Sequence, residues 1–161
     1  MILIRTKLTR QQFINASLVQ LYNKTSTKVI TGLFALFLLF ATLMIPATRG
    51  NFFFMVVYPI LILALNPLSV YMTAKRSFNN IKTNGETIEY HFEDNGLLTK
   101  GETFSMESTW DSIYKVTQTK HWIMIWRNRQ VANPIPKTSV SEGELSELKH
   151  LLDRNNIPNN L

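Results

Sequence analysis

Two apolar runs occupy the first half of the chain and limit the folds that it can adopt. They cover residues 29–47 and 52–72, flank a short polar break, and contain no Asp, Glu, Lys or Arg. A helix rises about 1.5 Å per residue, so about 20 apolar residues are about 30 Å long, the thickness of a bilayer's hydrocarbon core. The sequence therefore predicts a transmembrane hairpin of two helices at residues 29–72.

The charges are distributed unevenly along the chain. Residues 1–76 carry eight Lys and Arg side chains and no Asp or Glu, whereas residues 77–161 carry nine basic and eleven acidic side chains. Lys and Arg are enriched on the cytoplasmic side of transmembrane segments, so the pattern predicts a multi-pass plasma-membrane protein with both termini cytoplasmic. Nucleic acid is excluded as a partner, because the excess basic charge does not belong to residues 77–161.

Short segments flank the hairpin on both sides. Residues 1–28 predict a strand from Met1 to Leu8 and then a helix that begins at the capping-box pair Thr9 and Gln12. Two positions stay open for this helix, the membrane surface or the surface of the domain that follows. Residues 73–84 are expected to extend the second transmembrane helix as far as Asn84-Gly85, where a glycine suits a left-handed cap.

Residues 85–161 predict a small α+β domain. Apolar residues alternate with polar ones from Ile88 onward, and Asp94-Asn95-Gly96 is a strong hairpin turn. About six short antiparallel strands precede an amphipathic helix, whose start is marked by the capping box of Ser141 and Glu144. The expected fold is a curved antiparallel sheet or partial barrel that the carboxy-terminal helix covers.

The strand around residues 122–126 is apolar on both faces. It is therefore expected to lie centrally and be covered on both sides, or else to bear a binding surface. The strand that follows contains Pro134 and Pro136, which lack the backbone N–H that a sheet needs, so it is expected to lie at a sheet edge or to end at a bulge.

No residue pattern in the chain specifies a reaction. There is no cysteine, and His91, His121 and His150 lie in separate segments without the spacing of metal ligands. Glu89 and Glu93 flank His91, but alternate polar residues are typical of the solvent face of any half-buried strand. The sequence predicts no enzyme, no metal site and no cofactor.

Two sets of side chains are candidates for binding. The first is a surface for a partner protein or a lipid headgroup, and it consists of Lys115, Lys120, Trp122, Trp126, Arg127 and Arg129. The alternative reading makes its basic members solvated turn residues. The second is Asn66, the strongly polar side chain in the apolar runs, which is a candidate for a polar contact inside the membrane.

Several short motifs follow the two apolar runs in a recognisable order. They are Phe92-Glu93-Asp94-Asn95-Gly96, Trp110-Asp111-Ser112-Ile113 and Ile135-Pro136-Lys137. This order resembles the YcxB-like family of small bacterial membrane proteins. The resemblance implies a bacterial inner-membrane location and a cytoplasmic domain similar to the bacterial pleckstrin-homology fold, whose sheet the amino-terminal strand would complete. It implies no activity, and the acidic residues in the first hairpin loop argue against phosphoinositide binding.

The expected function is that of an interaction or scaffolding protein. Besides the lipid bilayer, its partner would be another membrane or cytoplasmic protein, or a second copy of the chain. The alternative is an accessory subunit of a transporter or channel complex that assembles through the hairpin.

Overall fold

The computed structural model describes residues 1–23, 25–44, 51, 53–80 and 85–161. The chain divides into two compact units. The first consists of Met1–Ala16 and Ser77–Leu161, and the second is Ser17–Arg76. The amino-terminal strand therefore belongs to the same unit as the second half of the chain.

The described part of the first unit contains seven antiparallel strands in two sheets. The larger sheet has the order β1-β2-β3-β4 and the smaller one the order β5-β6-β7. Their bounds are β1 Ile2–Lys7, β2 Thr87–Glu93, β3 Gly96–Lys100, β4 Ser105–Thr109, β5 Lys115–Gln118, β6 Trp122–Trp126 and β7 Ala132–Pro136. The expectation of a single curved sheet, one of the two predicted forms, is wrong, because the described strands form two sheets. A 3-10 turn, Trp110–Ser112, separates β4 from β5, and β5 pairs with β6 instead of extending the first sheet.

The pairing register of the larger sheet determines which side chains share a face. Ile4 of β1 lies opposite Tyr90 of β2, which lies opposite Thr99 of β3, which lies opposite Met106 of β4. The neighbouring row contains Ile2, Phe92, Leu97 and Ser108. Because successive side chains of a strand point to opposite faces, both rows lie on the face that contributes to the core.

The smaller sheet has β6 at its centre, as its apolar sequence predicts. All five residues of β6 are buried, and β5 and β7 pair with its two sides. Pro134 lies opposite Met124 in β7, which pairs with β6 alone in the described sheet. The predicted edge position of the proline-containing strand is confirmed.

Helix α4 (Glu142–Arg154) follows β7 and covers the core. It begins at the predicted capping box, in which the Ser141 amide donates to Glu144 Oε2 at 2.8 Å and the Glu144 amide donates to Ser141 Oγ at 3.3 Å. Leu148 and Leu152 have no exposed surface and belong to the same core cluster as Ile123 of β6. The chain then returns beside β5, where the Val116 amide donates to Pro158 O at 2.9 Å.

Three more helices lie earlier in the chain. They are α1 (Arg10–Asn23), α2 (Thr25–Met44) and α3 (Tyr58–Asn80), and a π-helical segment, Phe53–Val57, precedes α3. The start of α1 is the predicted capping box, since the Gln12 amide donates to Thr9 Oγ1 at 3.2 Å and the Thr9 amide donates to Gln12 Oε1 at 2.9 Å. Within the first unit the ring of Phe13 in α1 lies 5.6 Å from that of Phe78.

Among the described residues, no helix combines the length and the apolar character needed to cross a membrane. The predicted hairpin at residues 29–72 is therefore wrong, and with it the multi-pass inner-membrane location; the prediction of cytoplasmic termini depended on that hairpin. The described apolar stretch of α2, residues 29–44, has 16 residues after a polar first turn. The second run is divided between the π-helical segment and α3, whose apolar part, residues 58–72, has 15 residues. Both fall short of the roughly 20 that a span needs.

Parts of the hairpin prediction lie outside the described residues. These are the end of the first run and most of the polar break, residues 45–50, together with Phe52. The expected end of the helical extension, residues 81–84, also lies outside them.

The second unit exposes large apolar side chains on α2 and α3. Ile30, Leu33 and Leu36 of α2 each expose more than 60% of their surface, and Ile60 and Leu65 of α3 expose about as much. Contiguous apolar surface of this kind is uncommon on a monomer in water. The described fold does not bury it.

Candidate functional site

The structure divides the predicted binding surface into two groups at opposite ends of β6. Lys120 and Trp122 lie at the start of the strand, whereas Trp126 and the arginines lie at or beyond its end. Lys115 belongs to the second group, because it lies opposite Trp126 in the pairing of β5 with β6. The two ends are about 13 Å apart at about 3.3 Å per residue. The structure therefore places the six residues in two groups along β6.

The two tryptophans of this set are buried, with exposed fractions of 6% for Trp122 and 3% for Trp126. The indole Nε1 of Trp126 donates to Thr117 Oγ1 at 2.8 Å. Lys115 Nζ lies 5.5 Å from the centroid of the Trp126 ring and 5.7 Å from that of Tyr114, which is cation–π geometry. Lys120 and Arg129 are exposed.

Arg127 differs from the other basic residues because its side chain crosses from the smaller sheet to the larger one. Its backbone amide closes the β6–β7 hairpin by donating to Val131 O at 3.0 Å. Its guanidinium reaches β4, where Nη1 lies 3.0 Å from Met106 Sδ and Nη2 lies 3.4 Å from Ser108 Oγ. Nε is buried and has no hydrogen-bond acceptor in the part of the chain that the structure describes. We call Arg127, Met106 and Ser108 the arginine site.

The guanidinium of Arg127 is poorly satisfied by these contacts. It has five N–H donors, and a thioether sulfur is a weak acceptor. The ion pairs among the described residues join Arg5 to Glu89 and Arg154 to Asp94, and His91 forms a hydrogen bond with Glu89. The residues outside the described ranges include no Asp or Glu, so no side chain there supplies the missing carboxylate.

Two polar residues continue the row of Met106 across the larger sheet. Thr99 is 3% exposed, and its Oγ1 is buried without a hydrogen-bond partner. Burial raises the pKa of Tyr90 to about 12, while the positive charge of Arg127 acts to lower it. Tyr90 is therefore a neutral phenol at pH 7. Among the described residues no carboxylate pairs with the guanidinium, which favours binding of an external anion.

A second polar cluster lies on the other face of the larger sheet. Arg5 Nε lies 2.8 Å from Glu89 Oε1, and His91 Nε2 lies 3.1 Å from Glu89 Oε2. The hydrogen bond from His91 and then the charge of Arg5 hold the pKa of Glu89 below its ordinary value. This satisfied group joins β1 to β2. The described residues contain no group of three His, Asp or Glu side chains arranged to hold a metal ion.

Asn66 is exposed in α3, directly before Pro67. Its backbone carbonyl accepts a hydrogen bond from Ser69 Oγ at 2.7 Å. The predicted polar contact of Asn66 inside a membrane depended on the transmembrane hairpin, which the structure contradicts.

Sequence reasoning included Arg127 but missed Met106 and Ser108, which lie 21 and 19 residues before it. The available signal was their spacing. Met106 and Ser108 are two residues apart in one strand, so their side chains share a face. The sequence around them does not show that Arg127, which follows a strand of the other sheet, reaches that face.

The fold defines this protein as a small α+β domain with two antiparallel sheets and a carboxy-terminal helix, joined to an apolar helical unit. Residues 92–152, from β2 to α4, match the family model described as YcxB-like protein. The resemblance found in the motifs is thereby confirmed. The match does not confirm the membrane insertion or the pleckstrin-homology-like fold that the resemblance implied. No curated protein and no solved structure matches the chain.

Proposed function

We propose that the first unit is a non-enzymatic interaction module that recognises an anionic group of a partner at Arg127. The observation that supports this proposal is the guanidinium that spans from β6 to β4 with a buried Nε and no acceptor for it. A charge that is partly removed from water destabilises a fold unless it is paired and hydrogen-bonded. An arginine held in this way is suited to a function that supplies the missing partner.

The chemistry of the arginine site favours binding over catalysis. Its other members are a thioether and a hydroxyl, and no His, Asp or Glu contacts the guanidinium among the described residues. General acid–base chemistry needs such a group within hydrogen-bond reach of the reacting atom. The accessory-subunit alternative depended on the transmembrane hairpin, so no observation favours it.

A titration with small anions tests the proposal. The full chain, labelled with ¹⁵N, is titrated with sodium acetate or inorganic phosphate at constant ionic strength, and the arginine Nε–H signals are followed by NMR. We expect saturable shifts of the Arg127 Nε–H signal and of the backbone amide signals of Met106 and Ser108, and Arg127→Gln should abolish the amide shifts. Arg129→Gln is the matched control, because Arg129 is an exposed arginine two residues away. A linear shift shared by all arginines would overturn the proposal.

A further inference from the structure

The strand that bears Met106 and Ser108 is at an edge of its sheet. Within the described larger sheet, β4 pairs with β3 on one side only. Four of its five residues are exposed, and Ser108 is half-buried. An exposed edge presents backbone N–H and C=O groups in the spacing that another extended chain can pair with. The arginine site therefore lies beside a sheet edge that can accept a strand.

The two faces of β4 carry opposite charge. Met106 and Ser108 lie on the face that Arg127 contacts, and Glu107, between them in sequence, lies on the other face. Glu107 lines a cleft of about 300 Å³, together with Glu93, residues of the β2–β3 hairpin, and Ser108 and Thr109 of β4. A strand added beside β4 would place its side chains alternately toward the arginine and toward Glu107.

We propose that the partner is an extended polypeptide segment that adds to β4 as a further strand and carries acidic and basic residues in alternation. This inference rests on the proposed function and specifies its ligand. An acidic side chain of the segment pairs with the Arg127 guanidinium, whose planar fork matches a carboxylate. The next side chain points to the opposite face, where a Lys or Arg pairs with Glu107 in the cleft.

Charge argues against a second copy of β4 as the occupant. An antiparallel two-fold pairing centred on residue 107 would place Glu107 directly opposite its own copy. Like charges directly opposite one another destabilise a strand pair. The complementary occupant is therefore a different sequence with a basic residue at that position.

A pair of synthetic peptides tests the inference on the full chain. The first is an eight-residue peptide of alternating Lys and Glu, and the matched control has the same composition with four Lys followed by four Glu. We expect the alternating peptide to shift the backbone amide signals of Ser105–Thr109 and the Nε signal of Arg127, and to protect the β4 amides from hydrogen exchange. The control peptide should bind severalfold more weakly, because only its central Lys–Glu pair can match both faces, and in a single register.

Two variants identify the contacts. Glu107→Lys should weaken the alternating peptide about tenfold or more while acetate still shifts Arg127, and Arg127→Gln should weaken both ligands. Acetate binding with no peptide effect at β4 would overturn the strand inference and leave the anion site standing. Equal binding of the two peptides would overturn it as well. If neither acetate, phosphate nor peptide shifts Arg127, the proposed function fails too.

Discussion

Trp110 connects the two sheets, and its replacement gives a specific stability prediction. It is the first residue of the 3-10 turn between β4 and β5, is 7% exposed and belongs to the core cluster. Its Nε1 donates to Asp94 O at 3.0 Å and Glu93 O at 3.2 Å, which fastens the turn to the β2–β3 hairpin. Its side chain thus contributes both buried apolar surface and a hydrogen bond across 16 residues.

Two substitutions separate these contributions. Trp110→Ala leaves a cavity of aromatic size, so it should lower the free energy of unfolding by about 3–5 kcal/mol. Trp110→Phe keeps most of the ring. It should cost about 1–2 kcal/mol, of which about 0.5–1.5 kcal/mol is the lost hydrogen bond and the rest is the smaller ring.

Urea unfolding followed by circular dichroism measures both changes, with the dependence on urea concentration compared between variants. Asp111→Asn is the matched control, because Asp111 is the next residue and is exposed, and it should change stability by less than about 0.5 kcal/mol. Equal losses for Trp110→Phe and Trp110→Ala would refute the division between hydrogen bond and burial. A loss below about 1 kcal/mol for Trp110→Ala would refute the role of the turn in joining the sheets.

Three further predictions concern the same unit. Leu148→Ala should cost about 2–5 kcal/mol in urea unfolding because Leu148 has no exposed surface, and the exposed neighbour Ser146→Ala should cost little. Ser141→Ala should cost about 1 kcal/mol by removing the cap of α4, and a variant as stable as the parent chain would contradict the capping role. Hydrogen bonds from the Thr103 hydroxyl and amide hold the pKa of Glu86 below its ordinary 4.5. Ionised Glu86 therefore stabilises the fold above pH 4.5, and this contribution is lost as the pH falls through the lowered pKa. Glu86→Gln should be less stable at pH 7, and its stability should fall less on acidification. If the free energies of unfolding of the parent chain and of Glu86→Gln fall equally on acidification, this prediction is wrong.

Local patterns in the sequence determined most elements of the first unit. Capping pairs set the starts of α1 and α4 because a side chain and an amide three residues apart satisfy each other without help from distant residues. Alternation and turn residues gave β2 and β3, and the prolines placed β7 at an edge, because a missing N–H is a property of the residue itself.

The helical unit shows where the same reasoning failed. Hydropathy counts apolar residues along the chain, but the bounds of a helix decide how many of them one helix contains. The described part of α2 ends at Met44, three residues before the end of the predicted run, and the second run is divided between the π-helical segment and α3. The count for each described helix then fell below the length of a span.

Tertiary structure alone decided how the strands group and what surrounds Arg127. Whether β5 extends the first sheet or starts a second depends on the turn at Trp110, whose indole donates a hydrogen bond to Asp94, 16 residues earlier. A contact over that sequence distance cannot be read from a local pattern. The same holds for the arginine site. The sequence showed a basic residue after an apolar strand, whereas only the packing of two sheets places its guanidinium against β4 without a carboxylate to pair with. Local propensities act over a few residues, whereas the charge balance of a site depends on which strands the fold brings together.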